Sequence, residues 1–277
     1  MAQAGCGVDY EKSRLGSGIT GNGFDKYTDY QFITIAPAVS YEVSKELSLG
    51  VAANFNFSSF ATNAANSSYL ETSGSNSMDH AYGGGFVVGA IYNLKKIAFG
   101  LSYTSKQWMG SFRKYQDVVP QLDLPQQIAA GIAFRPTDKW LIETDFKWIN
   151  WKGSQVLREI PSEGGFGWED QYVYAIGSQY QLTPKIALRA GYSYGKTPIR
   201  EDRVFANALF PSTVEHHLGL GIGIKTSAKS DFSLTYEHGF KNELTDNGTG
   251  DSYSANGKGT KIDLVCNAII AEWRVKF

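Results

Sequence analysis

Cysteine is nearly missing from this chain: two occur in 277 residues, Cys6 and Cys266, close to opposite ends. Two such residues build neither a metal cluster nor a disulfide framework, and leave room for one bridge at most. Long hydrophobic runs are missing as well. Mean hydropathy is −0.26, and no stretch approaches the roughly 18 apolar residues that a spanning helix requires. A helical membrane protein is thereby excluded, but a membrane β-barrel is not, because its strands are apolar on one face only. Charge of one sign is absent too. The balance of 26 Lys+Arg against 27 Asp+Glu gives a net charge of −1, which supplies no long-range pull toward nucleic acid. The opening stretch MAQAGCGVDYEKS lacks the charged and apolar regions of a signal peptide. An exported form of this protein is expected to carry its export signal, with further sequence, upstream.

Abundant instead are Tyr (16), Phe (16) and Gly (30), a mixture suited to strands and turns. Parity runs through the chain. Leu47, Leu49, Val51, Ala53, Phe55 and Phe57 alternate with Ser48, Gly50, Ala52, Asn54 and Asn56. Leu218, Leu220, Ile222 and Ile224 alternate with His217, Gly219, Gly221 and Gly223. Such period-2 patterns predict strands with one apolar face. Eleven are expected, over 30–41, 47–57, 81–93, 96–106, 126–135, 140–151, 170–182, 185–195, 215–225, 231–240 and 265–277. Most have the length that a tilted strand needs to cross a bilayer.

The connections alternate strictly. EVSKE, NLKK, RPTDK, QLTPK and KTSAKS are short, whereas 58–80, 107–125, 152–169, 196–214 and 241–264 are long. In a meander this puts tight turns on one rim and long loops on the other, the asymmetry of outer-membrane barrels. Aromatics such as Tyr41, Trp140, Trp148, Tyr180 and Tyr194 cluster at strand ends, as interfacial girdles do. A soluble β-sandwich has shorter strands and no such loop asymmetry. The expected fold is therefore all-β: an antiparallel transmembrane β-barrel in the outer membrane of a Gram-negative bacterium. Eleven is odd, while bacterial barrels have even strand numbers. Either a strand hides in residues 1–29 or the chain lacks N-terminal strands. The second option makes 1–29 a loop remnant that follows missing strands, and 30–277 the barrel. The ending AIIAEWRVKF puts Ile269, Trp273, Val275 and Phe277 on the lipid-facing parity. A terminal Phe there resembles the signal read by the barrel assembly machinery.

An ordered series of segments resembles the FadL/TodX (OMPP1) family of outer-membrane transporters. It includes ITIAPAVSYEVSKELSLGVAANFNF, NLKKIAFGLSYTSKQWMGSFRKY, LPQQIAAGIAFRPTDKWLIETDFKWINW, GFGWEDQYVYAIGSQYQLTPKIALRAGYSYGKTPI and VEHHLGLGIGIK. The resemblance implies a 14-stranded barrel with an N-terminal hatch. No NPA-type hatch segment occurs here, so the hatch and the first strands are expected to be missing. It further implies passive transport of long-chain fatty acids or other hydrophobic small molecules, such as aromatic hydrocarbons, with no enzyme activity and no cofactor. The implied surroundings are outer-membrane lipid and lipopolysaccharide, for a monomer with no nucleic-acid partner. Two other readings compete: an outer-membrane barrel hydrolase of lipase or protease type, and a nonspecific porin.

Candidate site residues follow from parity. Lys106, Arg135, Lys147 and Arg189 fall on the inward face. A carboxylate in an apolar lumen requires a cation or several donors to offset its desolvation. Inward acids such as Glu143 and Asp145 are competing partners for these cations. Arg189 and Lys106 lead, because their own strands carry no inward acid beside them. In the long loop after residue 106, Trp108, Met109 and Phe112 form either an exposed apolar capture patch or a packing cluster under neighbouring loops. Phe210, in the 196–214 loop, completes it. His216 and His217 point to opposite faces and cannot share one metal, so no metal site is expected, nor a catalytic group. Asp79–His80 is at most half of a loop dyad.

Overall fold

The computed structural model describes residues 2–10, 26–62, 78–116, 119–208 and 210–275. Fourteen β segments join one antiparallel sheet. They are β1 (Ala2–Tyr10), β2 (Lys26–Ile35), β3 (Ala38–Glu42), β4 (Leu47–Thr62), β5 (Asp79–Asn93), β6 (Ile97–Thr104) and β7 (Trp108–Met109). The series continues with β8 (Gln127–Thr137), β9 (Trp140–Ile149), β10 (Gln171–Gln181), β11 (Ile186–Gly195), β12 (His216–Lys225), β13 (Ser230–Thr245) and β14 (Lys261–Val275). Neighbours in sequence are neighbours in the sheet, from β1 at one end to β14 at the other. Among the described residues these two ends do not pair.

Two segments continue others. β2 and β3 both pair with β4 in one register, Ile35 facing Phe55 and Ala38 facing Ala52. The break falls at Pro37, which has no N–H to give to the ladder, although its carbonyl still accepts the Ala53 N–H at 3.1 Å. β6 and β7 both pair with β5, but the register slips by one residue between Thr104–Val87 and Trp108–Gly84. Twelve strand positions result. This corrects the expected count of eleven and the reading of 1–29 as a loop remnant. β1 lies there, paired with β2 from Ala2–Thr34 to Tyr10–Lys26. Residues 11–25, and the expected C-terminal signal at Lys276 and Phe277, lie outside the described residues. Cys266 is a free thiol on β14, and Cys6 lies on β1.

Parity holds wherever strands are regular. The outer face carries exposed Tyr41, Val51, Phe55, Val88, Leu101, Ile132, Tyr174, Leu220, Leu234, Ile269 and Trp273. In water such a face would be a severe liability; in hydrocarbon it is the required one. Side-chain hydroxyls shape the short turns. Ser44 accepts the N–H groups of Glu46 and Leu47, Thr183 those of Lys185 and Ile186, and Ser227 that of Lys229. These local bonds satisfy backbone donors that the ladder leaves over.

At the opposite end the long loops fold onto the inner face. A buried cluster gathers Tyr30 from β2, Phe60 from β4, Met109 from β7 and Ile262 from β14. Phe112 and Tyr115 join it from the 107–126 connection, Phe166 and Trp168 from the 150–170 connection, and Val204 and Phe210 from the 196–215 connection. Phe60 is the hub, with ring centroids 4.9 Å from Tyr115, 5.5 Å from Phe112 and 6.0 Å from Phe210. The 150–170 connection carries the one-turn helix α1 (Gln155–Arg158), whose Val156 and Leu157 enter the same cluster.

Candidate functional site

The cap settles the fate of the loop aromatics. Met109 and Phe210 are buried and Phe112 has no exposed surface, so the exposed capture patch is not formed. These side chains are packing groups of the cap. Trp108 stands opposite Gly84 in the register, is about half exposed, and projects on the outer face. Packing here needs the glycines of β5. A Cβ on Gly83 would lie 2.2 Å from the Trp108 carbonyl oxygen and 2.3 Å from Met109 Sδ.

Below the cap, a polar bridge crosses the wall. Gln107 is buried and its Oε1 accepts Asn54 Nδ2 (3.0 Å) and Asn56 Nδ2 (2.9 Å), while its Nε2 donates to the Ser105 carbonyl (2.7 Å). Asn56 Oδ1 in turn accepts the Thr34 hydroxyl at 2.9 Å. The bridge joins β2, β4 and the segment between β6 and β7. Gly85 makes it possible, since a Cβ there would lie 2.5 Å from Gln107 Nε2. Parity marks Asn54 and Asn56 as inward but gives no sign of this network, because the one-residue slip that turns Gln107 inward is invisible in the alternation.

Toward the turn rim, β3, β4, β5, β6 and β8 line an open, largely apolar cavity of about 500 Å³. Ala38, Ala52, Val87, Gly89, Gly100 and Ala129 are among its lining residues, and Asp145 from β9 closes one side. Small inward side chains create this space, because larger ones on the same parity would fill it.

The four cations diverge. Lys106 pairs with Asp123 at 2.7 Å, and the same carboxylate caps the Met109 N–H at 2.8 Å. The leading status given to Lys106 is therefore corrected: its charge is neutralised by a loop acid distant from its own strand. Lys147 lies on the inward parity of β9, opposite Ala129, and Arg135 falls in the register break after Phe134 of β8; neither makes an ion pair among the described residues. Arg189 is held by neutral acceptors. Its Nε donates to Gln179 Oε1 (2.7 Å) and its Nη1 to Ser233 Oγ (3.0 Å). Gly223 gives it floor space, since a Cβ there would lie 3.1 Å from Nη2. The guanidinium lines a polar cleft of about 350 Å³ with Gln179, Lys185, Asp231, Ser233, Glu272 and Arg274; Glu272 pairs with Arg274, and Arg189 makes no ion pair among the described residues.

Among the described residues no hydrolytic arrangement accompanies these groups. Asp79 accepts the N–H groups of His80 and Lys114, and the His80 ring stacks on Phe57 at 5.3 Å. His216 stacks against Tyr192 and Tyr194 of β11. Among the described residues no group of His, Cys, Asp and Glu has the arrangement of a metal site.

Comparison with known proteins agrees with this geometry. A long-chain fatty acid transport protein of Escherichia coli O6:H1 is 23% identical over 144 residues, which cover 50% of this chain and 32% of that protein. The matched stretch thus spans about a third of that relative's length. Among solved structures, the Pseudomonas putida toluene transporter TodX superimposes with a TM-score of 0.75 at 16% identity, over 99% of this chain and 77% of TodX. A Pseudomonas aeruginosa FadL homologue gives 0.58 at 15% identity, over 99% of this chain and 72% of the homologue. At these identities the likeness shows the fold, an outer-membrane barrel wall. The family described as outer membrane protein transport protein (OMPP1/FadL/TodX) matches residues 4–277, and the chain belongs to that family of outer-membrane transport proteins.

Proposed function

We propose that this protein passes hydrophobic small molecules across the outer membrane down their concentration gradient, and that amphipathic monocarboxylates such as long-chain fatty acids are among them. The observation that carries the reading is the inner face. An open, largely apolar cavity of about 500 Å³ lies beneath a packed loop cap and offers an acyl chain or an aromatic ring a hydrophobic surface. Arg189 supplies a cation in a separate polar cleft, on the inner face of β10–β14. Its two hydrogen bonds go to uncharged acceptors, which fix its direction and leave its charge available to a carboxylate. A purely hydrocarbon cargo has no use for that charge.

Uptake of labelled oleate and labelled toluene by cells carrying the Arg189→Gln variant separates the two cargo classes. Oleate uptake is expected to fall about tenfold or more, the scale of one lost charge-assisted hydrogen bond, with toluene uptake unchanged. Unchanged oleate uptake overturns the role of Arg189. Steady ion conductance of the purified protein, with no uptake of either compound, overturns the transport reading in favour of a porin.

A further inference from the structure

The two rims treat their charges differently. On the loop half, Lys106 pairs with Asp123, Lys152 with Glu169, Arg200 with Asp202, Lys241 with Asp263 and Lys261 with Glu243, while Arg113, Arg158, Lys196 and Lys258 make no ion pair among the described residues. On the turn rim the pattern ends. Each of the five short turns carries lysine: Lys45, Lys95 with Lys96, Lys139, Lys185 and Lys229. Between the strand ends these turns hold two acids, Glu46 and Asp138, with Glu42 ending β3 and Lys225 ending β12 on the same rim. All six turn lysines are exposed, and none makes an ion pair among the described residues. A chain of net charge −1 thus concentrates unpaired positive charge along one edge.

Next to these lysines, on the lipid-facing parity, stand large exposed side chains. Tyr41 and Val43 flank the first turn, Tyr92 and Leu94 the second, Trp140 the third, and Tyr180 and Leu182 the fourth. Aromatic and aliphatic bodies next to ammonium groups on flexible stems are the composition of a membrane–water boundary, where lysine keeps its stem in the apolar layer and its charge at headgroup level. The short-turn rim of such a barrel faces the periplasm, so the leaflet it meets is the inner one.

We propose that this rim is a binding surface for anionic phospholipid in the inner leaflet. The turn lysines pair with lipid phosphates, while the adjoining Tyr, Trp and Leu side chains pack against the glycerol and first acyl carbons. A soluble acidic protein is the other partner that the charge alone would suit. The geometry favours lipid, because the lysines follow every turn of the wall instead of gathering in one patch, and because the lipid-facing apolar band runs up to them.

The test uses the full chain reconstituted into nanodiscs of phosphatidylethanolamine with phosphatidylglycerol as a minor component. Mass spectrometry then measures the ratio of the two lipids that stay with the protein after mild detergent extraction. Wild type is expected to enrich phosphatidylglycerol by about fivefold per engaged lysine at low salt, with the enrichment collapsing as ionic strength rises. Replacing all six lysines by glutamine is expected to return the ratio to that of the input, and replacing them by arginine to preserve the enrichment. A wild-type ratio equal to the input, or enrichment that survives the glutamine changes, overturns the proposal. So does loss of an acidic periplasmic protein from the glutamine variant with lipid enrichment intact, which assigns the rim to that protein. If the glutamine variant does not fold, the salt series on wild type still decides: enrichment indifferent to salt refutes the role of the lysines.

Discussion

Truncating Phe112 to alanine is expected to open the loop cap and leave the barrel wall standing. Phe112 has no exposed surface, and its ring lies 5.5 Å from that of Phe60. Removing a fully buried phenylalanine costs about 3–5 kcal/mol, and its contacts belong to the cap and not to any strand ladder. The cost therefore falls on local opening and not on the sheet. Divided by about 1.4 kcal/mol per tenfold, it multiplies the population of opened cap by roughly 10² to 10³. Two readouts follow. Trypsin cleavage after Lys114 should accelerate by a similar factor, because Lys114 is tied down by its N–H to Asp79 (2.9 Å) and its ammonium to the Met78 carbonyl (3.1 Å). In planar bilayers, ion conductance should rise as the seal over the inner face loosens. Trp108→Ala is the control: that ring is about half exposed on the outer face and should leave both readouts within about twofold of wild type. Wild-type cleavage and conductance in Phe112→Ala, with the heat-resistant barrel band intact on electrophoresis, would refute the assignment of the cap as a folded seal.

Glycine substitutions test the wall beneath that seal. Gly83→Ala puts a Cβ 2.2 Å from the Trp108 carbonyl oxygen and should cost about 1–3 kcal/mol, seen as a lower urea midpoint for the β5–β7 region. Gly100→Ala meets nothing within 4 Å and should be neutral, and equal midpoints for the two variants would discredit the close approach. Asp251 gives a pH dependence. Burial pushes its carboxyl up, but the N–H groups of Ser254 (2.9 Å) and Ser162 (2.7 Å) outweigh this and hold it below the ordinary aspartate range. The folded carboxyl thus binds its proton less readily than the unfolded one. Its tie between the 150–170 and 246–260 connections is fully present above about pH 4 and lost as pH falls through the lower folded value. Protease resistance of these loops should be flat from neutral pH to about pH 4 and decline below it; resistance that improves on acidification would contradict the sign.

The strands were legible because alternation is a one-dimensional signal with a direct structural cause. Outward Val51, Phe55 and Leu220 against inward Gly50, Asn54 and Gly221 determine a face without knowledge of any partner. β1 escaped although AQAGCGVDY does alternate, with Ala2, Ala4, Cys6, Val8 and Tyr10 against Gln3, Gly5, Gly7 and Asp9, because most of its apolar side chains are small and the pattern is shallow. What defines it as a strand is a ladder to β2 across an intervening stretch, and pairing of that kind is not written locally. The same limit hid the cap. Trp108, Met109 and Phe112 read as one group, either an exposed patch or a packing cluster under loops, because they are close in sequence. In the fold, β7 sends Trp108 and Met109 to opposite faces, and Phe112 is covered by Phe60, a residue more than fifty positions away.

The contrast between Lys106 and Arg189 shows why parity cannot assign a ligand-binding charge. Both were selected by one criterion, an inward cation with no inward acid on its own strand. For Lys106 the neutralising acid arrives from the loop: Asp123 reaches it at 2.7 Å because the chain from Gln107 doubles back on itself through the Gln107–Leu124 bridge. For Arg189 the adjacent β10 supplies Gln179, and β13, reached across the glycines of β12, supplies Ser233, which hydrogen-bond but carry no charge. A guanidinium spent on a carboxylate has little attraction left for an arriving anion, whereas one steered by neutral oxygens keeps its full charge and loses little entropy on binding. The deciding fact is the chemistry of residues across the ladder. Gln179→Glu should therefore convert Arg189 to the condition of Lys106, with its hydrogen-bond geometry kept and its charge cancelled. If the proposed anion role is right, that variant should lower oleate uptake nearly as much as Arg189→Gln does, while Gln179→Ala should lower it far less. Equal uptake by Gln179→Glu and wild type would mean that the charge of Arg189 is not what the cargo reads.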